Sequence, residues 1–434
     1  MSLRGKSLCA RWTWTGAHFQ RDVRVVIDER GVIAEVSTGG AIPPDAIRLP
    51  RAALLPGFVN AHSHAFQRGL RGTPQRFDTG SGNFWTWRQT MYRLADALDV
   101  DGFYDASRRA FSEMLAAGFT SVGEFHYLHH AGEGCDDWAL DDAIVAAATD
   151  SGIRLVLIQC YYAAGGIHRP LEGAQRRFGP VSRDAFLRQI ERLEGKLRSA
   201  TQTLAIACHS IRAVDRDDLR FFHEFACRNR WPFHIHLEEA RMEIEDCVAA
   251  YGKTPMATLL ETIGVGSDVT AIHCTHSRPD ELTEFVRRGG GVCLCPITEG
   301  NLSDGFPDVP LLRQVNARIA IGTDCNIRLG AFEELRWLEF AQRLRRERRG
   351  IVVDPAGSSA AGLMGVGTVN GAASLALPAG EIAPGKHADL VAIDLDHPDL
   401  QAVGEDAIAD AIVFGCGNEP IGQVWVGGVP AVLR

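Results

Sequence analysis

The chain has 434 residues, 46% hydrophobic and 23% charged, with a formal net charge of −9. These are the proportions of a globular protein with a large core. The interspersed acidic excess argues against a nucleic-acid-binding face, which would need surplus Lys and Arg, and no apolar run approaches the roughly 18–20 residues that span a bilayer. The eleven cysteines are an odd number with no CxxC pair, a pattern of reduced thiols rather than a disulfide framework. Met1 to Trp14 lacks a signal-peptide pattern, so a cytoplasmic location is expected.

In chain order, residues 1–54 show short alternating runs, Val23–Ile27 and Val32–Val36, punctuated by turn signals at Glu29-Arg-Gly31 and Gly39-Gly40. These read as hairpins. From about residue 55 to 350, β-rich runs alternate with amphipathic helical patterns. The runs are Leu54–His64, Thr120–Tyr127, Arg154–Tyr161, Thr203–His209, Phe233–Leu237, Val269–Cys274, Gly291–Pro296 and Arg318–Asp324. Asp101–Ala117 typifies the helices, with Phe103, Ala106, Ala110, Met114 and Ala117 on one face. Eight such units predict an α/β fold, a TIM-like (β/α)8 barrel over residues 55–379. The tail returns to hairpin grammar at Gly385–Ile393 and Gly422–Gly428. The two ends, 1–54 and 380–434, are expected to fold together as a small β-sandwich domain.

A barrel places its chemistry at the C-terminal ends of its strands, and several candidates fall there. His62 and His64 close the first run; at strand spacing both face the same side and can share one metal ion. His234 and His236 also share a face, so periodicity leaves the choice open, although His236 is nearer the strand end. Glu239 follows, where a carboxyl group could shuttle protons beside a held water. His273 ends the sixth run and Asp324 the eighth. Singly each could be a satisfied core residue; together they point to a metal centre. The run Arg343–Arg349 reads as a solvated helix end, because basic residues suit a helix C-terminus.

The order HxH, then His with a following Glu, then His, then Asp resembles the metal-dependent amidohydrolase superfamily, notably its adenosine-, cytosine- and guanine-deaminase-like branch. Gly380-Glu-Ile-Ala-Pro-Gly-Lys-His-Ala-Asp-Leu390 resembles that superfamily's C-terminal strand. Longer stretches are similar to the formimidoylglutamate deiminases: His62-Ser-His-Ala-Phe-Gln67-Arg, Phe84-Trp-Thr-Trp-Arg88, Glu124-Phe-His-Tyr127-Leu-His-His130, His209-Ser-Ile-Arg212-Ala-Val and Cys295-Pro-Ile-Thr-Glu-Gly-Asn-Leu-Ser-Asp-Gly305.

The resemblance implies one Zn2+ per subunit, held by His62, His64, His236 and Asp324, donors suited to zinc with a position left for water. Binuclear relatives carry a bridging carboxylated lysine at the end of the fourth strand, where this chain has His209, so one metal is expected. It further implies Glu239, His273 and Asp324 as catalytic groups, and Gln67, Arg88, Tyr127, His209 and Arg212 as substrate-binding groups. Arg88 is expected in a loop after the first strand. The implied reaction is hydrolytic deimination of N-formimidoyl-L-glutamate to N-formyl-L-glutamate and ammonia, a step of histidine degradation, in a homodimer with no nucleic-acid or membrane partner. Two arginines suit a substrate with two carboxylates. The alternatives are a nucleobase or nucleoside deaminase on the same scaffold, which would need stacking aromatics, and a non-catalytic scaffold protein, which the full set of ligands and proton-transfer groups disfavours.

Overall fold

A computed structural model describes residues 1–40, 42–75, 82, 84–134, 136–197 and 199–433. The side chains of Phe84 and Trp85, part of the aromatic sequence motif, lie outside the described residues, as does Cys135.

Eight parallel strands form the barrel in sequential order: β1 (Phe58–Ser63), β2 (Phe119–His126), β3 (Arg154–Tyr161), β4 (Gln202–Ser210), β5 (Phe233–Leu237), β6 (Val269–His273), β7 (Gly291–Leu294) and β8 (Ile319–Ile321). Every residue of β2 and β3 is buried, as expected for parallel strands covered on both faces. The last strand returns to the first through a parallel bridge between Ser63 and Asp324. Sequence-encoded caps start the intervening helices. Asp99 accepts from the Gly102 amide at the head of Val100–Ala116, and Asp215 accepts from the Asp218 amide at the head of Arg216–Asn229. The inward face of Val100–Ala116 buries Phe103, Ala110 and Met114, as its periodicity predicts.

Strands from the two ends of the chain make a second, separate sheet. Its order is Val429–Pro430, Ile421–Val426, Leu390–Asp394, Ile47–Pro56, Ser7–Trp14, Val23–Ile27 and Ile33–Thr38, with Phe19–Gln20 beside Ser7–Trp14. The sheet has a core of its own, including Leu8, Val25, Leu54, Leu390 and Trp425. The predicted run Leu54–His64 is therefore two strands, one in each sheet. Gly57 divides them: a Cβ there would lie 2.1 Å from Thr120 Oγ1, and its amide donates to the Asp389 carbonyl at 2.8 Å. Only glycine tolerates so close an approach.

A buried ion pair ties the two sheets together. Arg154, at the start of β3, donates from Nε and Nη2 to the two carboxylate oxygens of Asp389 at 2.7 and 2.9 Å. Asp389 Oδ1 also accepts from the Gly427 amide at 2.6 Å, and Arg154 Nη1 reaches the Ala200 carbonyl at 2.7 Å. Both residues are 2% exposed. Removing one partner of such a pair strands a buried charge at a cost of about 3–5 kcal/mol. Asp389→Ala should therefore lower the thermal denaturation midpoint markedly, and Asp389→Asn, which keeps an acceptor, should lower it less. Equal midpoints for wild type and Asp389→Ala would show that the pair does not hold the sheets.

Candidate metal centre and active site

The mouth of the barrel is assembled by its closure. The His62 carbonyl accepts from the amides of Thr323 and Asp324 at 3.0 and 3.1 Å, and the His64 amide donates to the Asp324 carbonyl at 2.9 Å. Buried side chains repeat the link: Asn60 Oδ1 accepts from the Thr323 amide at 3.0 Å, Asn60 Nδ2 donates to Thr323 Oγ1 at 2.6 Å, and Asn326 Nδ2 donates to Ser63 Oγ at 3.0 Å. Several strand tips then turn left-handed, with φ of +55° at Glu238, +74° at His273, +46° at Asp324 and +54° at Asn326. Left-handed backbone at non-glycine residues persists only where the surroundings over-determine it, and it clusters at functional sites.

Four buried side chains converge there: His62, His64, His236 and Asp324. His62 Nε2 lies 3.1 Å from His236 Nε2 and 3.4 Å from Asp324 Oδ1, and His64 Nε2 lies 3.3 Å from the same oxygen. Donors bound to one zinc at about 2.0–2.1 Å are separated by about 2.9–3.4 Å for bond angles between 90° and 110°. The ring nitrogens are also oriented for this role. His64 Nδ1 faces the Phe125 carbonyl at 2.8 Å, and His236 Nδ1 faces the His209 carbonyl at 3.0 Å, which leaves each Nε2 lone pair for a metal. Burial lowers His62 to about 3 and also pushes His64 and His236 below the ordinary histidine value, favouring neutral imidazoles. Burial opposes ionisation of Asp324, but the adjacent His62, His64 and His273 hold its carboxyl below the usual carboxylate range. The donor set therefore fits a zinc-class ion. His234, which spacing alone left open, lies two residues back along β5 with Nε2 2.9 Å from the Ser374 carbonyl, outside this group.

Beside the four donors sits an acidic cluster around His273. Its Nε2 is 3.5 Å from Glu239 Oε1 and 3.9 Å from Asp324 Oδ2, and its Nδ1 is 3.3 Å from Glu299 Oε1. Burial works against charge on His273, yet Glu239, Glu299 and Asp324 raise its pKa well above the ordinary value. Burial pushes the Glu239 carboxyl up, and it raises Asp304 to about 9.

A cavity of about 450 Å³ opens from the donors and is lined by His64, His236, Glu239, Asp324, Gln67, Arg88, Tyr127, His209 and Arg212. All five residues expected to bind substrate thus reach one space. Gln67 Nε2 donates to Tyr127 Oη at 2.7 Å, leaving the buried Gln67 Oε1 without a partner. The His209 ring lies 4.7 Å from that of His236, and burial pushes its pKa well down. Arg212, only 9% exposed, has a buried Nε without a hydrogen-bond partner. Among the described residues, no carboxylate pairs with it. Arg88 Nη2 donates to Tyr162 Oη at 3.2 Å, and its guanidinium lies 5.3 Å from the Tyr92 ring centroid. Arg88 is on the helix Phe84–Ala97, not in a loop as expected; the run through Trp87, Met91 and Tyr92 supplies a helical apolar face toward the cavity.

Several lining residues escaped the sequence reading. Tyr162 directly follows β3 and could have been found by its place at a strand end; Tyr92 and Phe178 come from remote segments with no motif of their own. Glu299 lay within a quoted motif but had no role until its contact with His273 was seen. His126 and His129 both bind Asp141 Oδ1 at 2.8 Å, away from the cavity.

The amidohydrolase family model matches residues 53–430. The chain is 36% identical to a formimidoylglutamate deiminase of Pseudomonas aeruginosa over 94% of this chain and 90% of that protein. It is 27% identical to a 5-methylthioadenosine/S-adenosylhomocysteine deaminase of Thermodesulfovibrio yellowstonii, over 88% of this chain and 81% of that protein. An amidohydrolase crystal structure from Brucella melitensis superposes with a TM-score of 0.89 at 32% identity, covering 98% of this chain and 94% of that one. Fold, donor set and sequence similarity agree: the chain belongs to the amidohydrolase family of hydrolases.

Proposed function

We propose that the protein is a formimidoylglutamate deiminase of histidine degradation, hydrolysing N-formimidoyl-L-glutamate to N-formyl-L-glutamate and ammonia with one zinc held by His62, His64, His236 and Asp324. The observation that carries the substrate assignment is Arg212. A buried guanidinium whose Nε has no hydrogen-bond partner and that, among the described residues, makes no ion pair is costly, and a substrate carboxylate would offset that cost with a charge-assisted hydrogen bond. Arg88 lines the same cavity and suits the second carboxylate. The 36% identity to a formimidoylglutamate deiminase supports the same reading.

His62, His64, His236 and Asp324 would hold the zinc, which would supply Lewis acidity and lower the pKa of water to about 7. The chain's own groups then divide the work. Arg212 and Arg88 fix the dicarboxylate end, and Gln67 Oε1 offers an acceptor for an amidine N–H. Glu239, with its carboxyl pushed up by burial, holds the proton that the departing nitrogen needs to leave as ammonia. His273 Nε2, 3.5 Å from Glu239 and 3.9 Å from Asp324, is placed to pass a proton between those carboxyl groups. The buried free thiols, Cys160, Cys208 and Cys274 among them, suit a reducing, cytoplasmic setting.

The aromatic rings of Tyr92, Tyr162 and Phe178 on the cavity wall favour a second reading, a deaminase acting on a planar base. An ammonia-release assay separates the two. Release matched to consumption of N-formimidoyl-L-glutamate, with none from guanine, cytosine or 5-methylthioadenosine, is expected; consumption that yields formamide and glutamate, or no reaction, would overturn the proposal. Arg212→Met should raise KM by about 10- to 150-fold, the loss expected for a charged hydrogen bond, with the metal content unchanged. An unaltered KM would remove Arg212 from the substrate site. His236→Ala should abolish both activity and bound metal by elemental analysis while the far-ultraviolet circular dichroism stays native; full metal retention would refute the ligand set.

A further inference from the structure

Among the described residues, three groups of metal-capable side chains lie outside the four-donor set or only partly within it. The group His273, Cys295 and Asp324 shares its histidine and its aspartate with the site already described. His126, His129 and Asp141 have no donor to spare: both ring nitrogens of His129 are engaged, at 2.8 and 3.0 Å, and Asp141 Oδ2 accepts from Gln159 and Gln189 at 3.2 and 2.6 Å. The third group, His223, Cys227 and Asp268, is different. We propose that these three residues form a second metal site, selective for a thiophilic divalent cation of the zinc class, at the end of the barrel opposite the active-site cavity.

His223 and Cys227 are four residues apart on the helix Arg216–Asn229, so they project from one face. Asp268 immediately precedes β6, at the strand end opposite His273. Three atoms meet. Cys227 Sγ is 3.5 Å from His223 Nε2 and 3.4 Å from Asp268 Oδ2, and Nε2 is 3.5 Å from the same Oδ2. The triangle is closed and nearly equilateral, with Asp268 Oδ2 facing both other atoms. A tetrahedral ion with a metal–sulfur bond of about 2.3 Å and metal–nitrogen and metal–oxygen bonds of about 2.0–2.1 Å sets donor separations of about 3.3–3.6 Å. All three observed sides fall in that range.

The surroundings fix the donors and leave the ion a way in. His223 is buried, and its ring packs edge-on against Phe233 at 5.5 Å. The Asp268 carbonyl accepts from the Phe233 amide at 2.9 Å. Cys227 is exposed, so solvent can supply the fourth ligand. As a nucleophile the thiol is poorly placed, because partial burial and the Asp268 carboxylate push its pKa up to about 11. A divalent cation reverses that field: it displaces the thiol proton to solvent and takes the thiolate as ligand. The bound ion would pin the helix after β4 to the entry of β6 across β5, making the site a clamp on the fold.

None of the four donors of the first site is a sulfur, so a thiolate-to-metal charge-transfer band that is lost in Cys227→Ser reports the second site. Titrating Cd2+ into the purified holoenzyme should produce that ultraviolet band with an end point of one equivalent per chain, and should protect Cys227 from alkylation by iodoacetamide. Cys227→Ser should abolish the band while leaving hydrolytic activity and the resident metal unchanged, and Asp268→Asn should weaken Cd2+ binding at least tenfold. Absence of the band in the wild-type protein, or its persistence in Cys227→Ser, would overturn the proposal.

Discussion

The site depends on how the barrel closes. Adjacent strands from β1 to β8 are held by parallel ladders, but β8 meets β1 through a few hydrogen bonds that run through the proposed metal-binding residues themselves. The His62 carbonyl and the His64 amide are bonded to the segment carrying Asp324, so the separation of these side chains is set by backbone geometry rather than by rotamer choice. Asn60, Ser63, Thr323 and Asn326 are all buried and make the seam polar. Such a buried network is stable only when nearly all its groups are partnered, which makes the register at the seam specific. The left-handed backbone at Asp324 is one local cost of that closure.

From this seam the cavity divides electrostatically. On one side, Glu239, Glu299, Asp304 and Asp324 crowd around His273; on the other, Arg88 and Arg212 face the space with tyrosines between them. A molecule with a cationic amidine at one end and carboxylates at the other has a single favourable orientation in such a field. Neutral His209, between Arg212 and His236, separates the two halves without adding charge.

Much of this was legible in the sequence because strand ends carry both pattern and chemistry. His62, His64, His273 and Asp324 each terminate a recognisable β run, and the eight runs map onto the eight barrel strands. The failures have physical causes. Periodicity cannot separate His234 from His236, since depth along a barrel strand decides which one reaches the mouth. Arg88 lies in an aromatic-rich stretch that reads as a loop after the first strand, yet it stands on a helix whose Trp87, Met91 and Tyr92 face the cavity. The run from Leu54 to His64 read as one strand because the steric reason for the break at Gly57 is a contact with Thr120, 63 residues away. The roles of Tyr92, Phe178 and Glu299 depend on packing between segments that no local spacing reveals.

The Arg154–Asp389 pair also has a temporal meaning. The two residues are 235 positions apart, so a ribosome adding about 5–20 residues per second needs roughly 10–50 s to supply the second after the first. For that interval β3 carries a cation whose buried partner does not yet exist. Burying Arg154 before then would strand its charge, so the native packing at the start of β3 becomes favourable only once Asp389 is in place. The tail strand that begins at Leu390 serves as a latch, made only after β8 and the turn that carries Asp324.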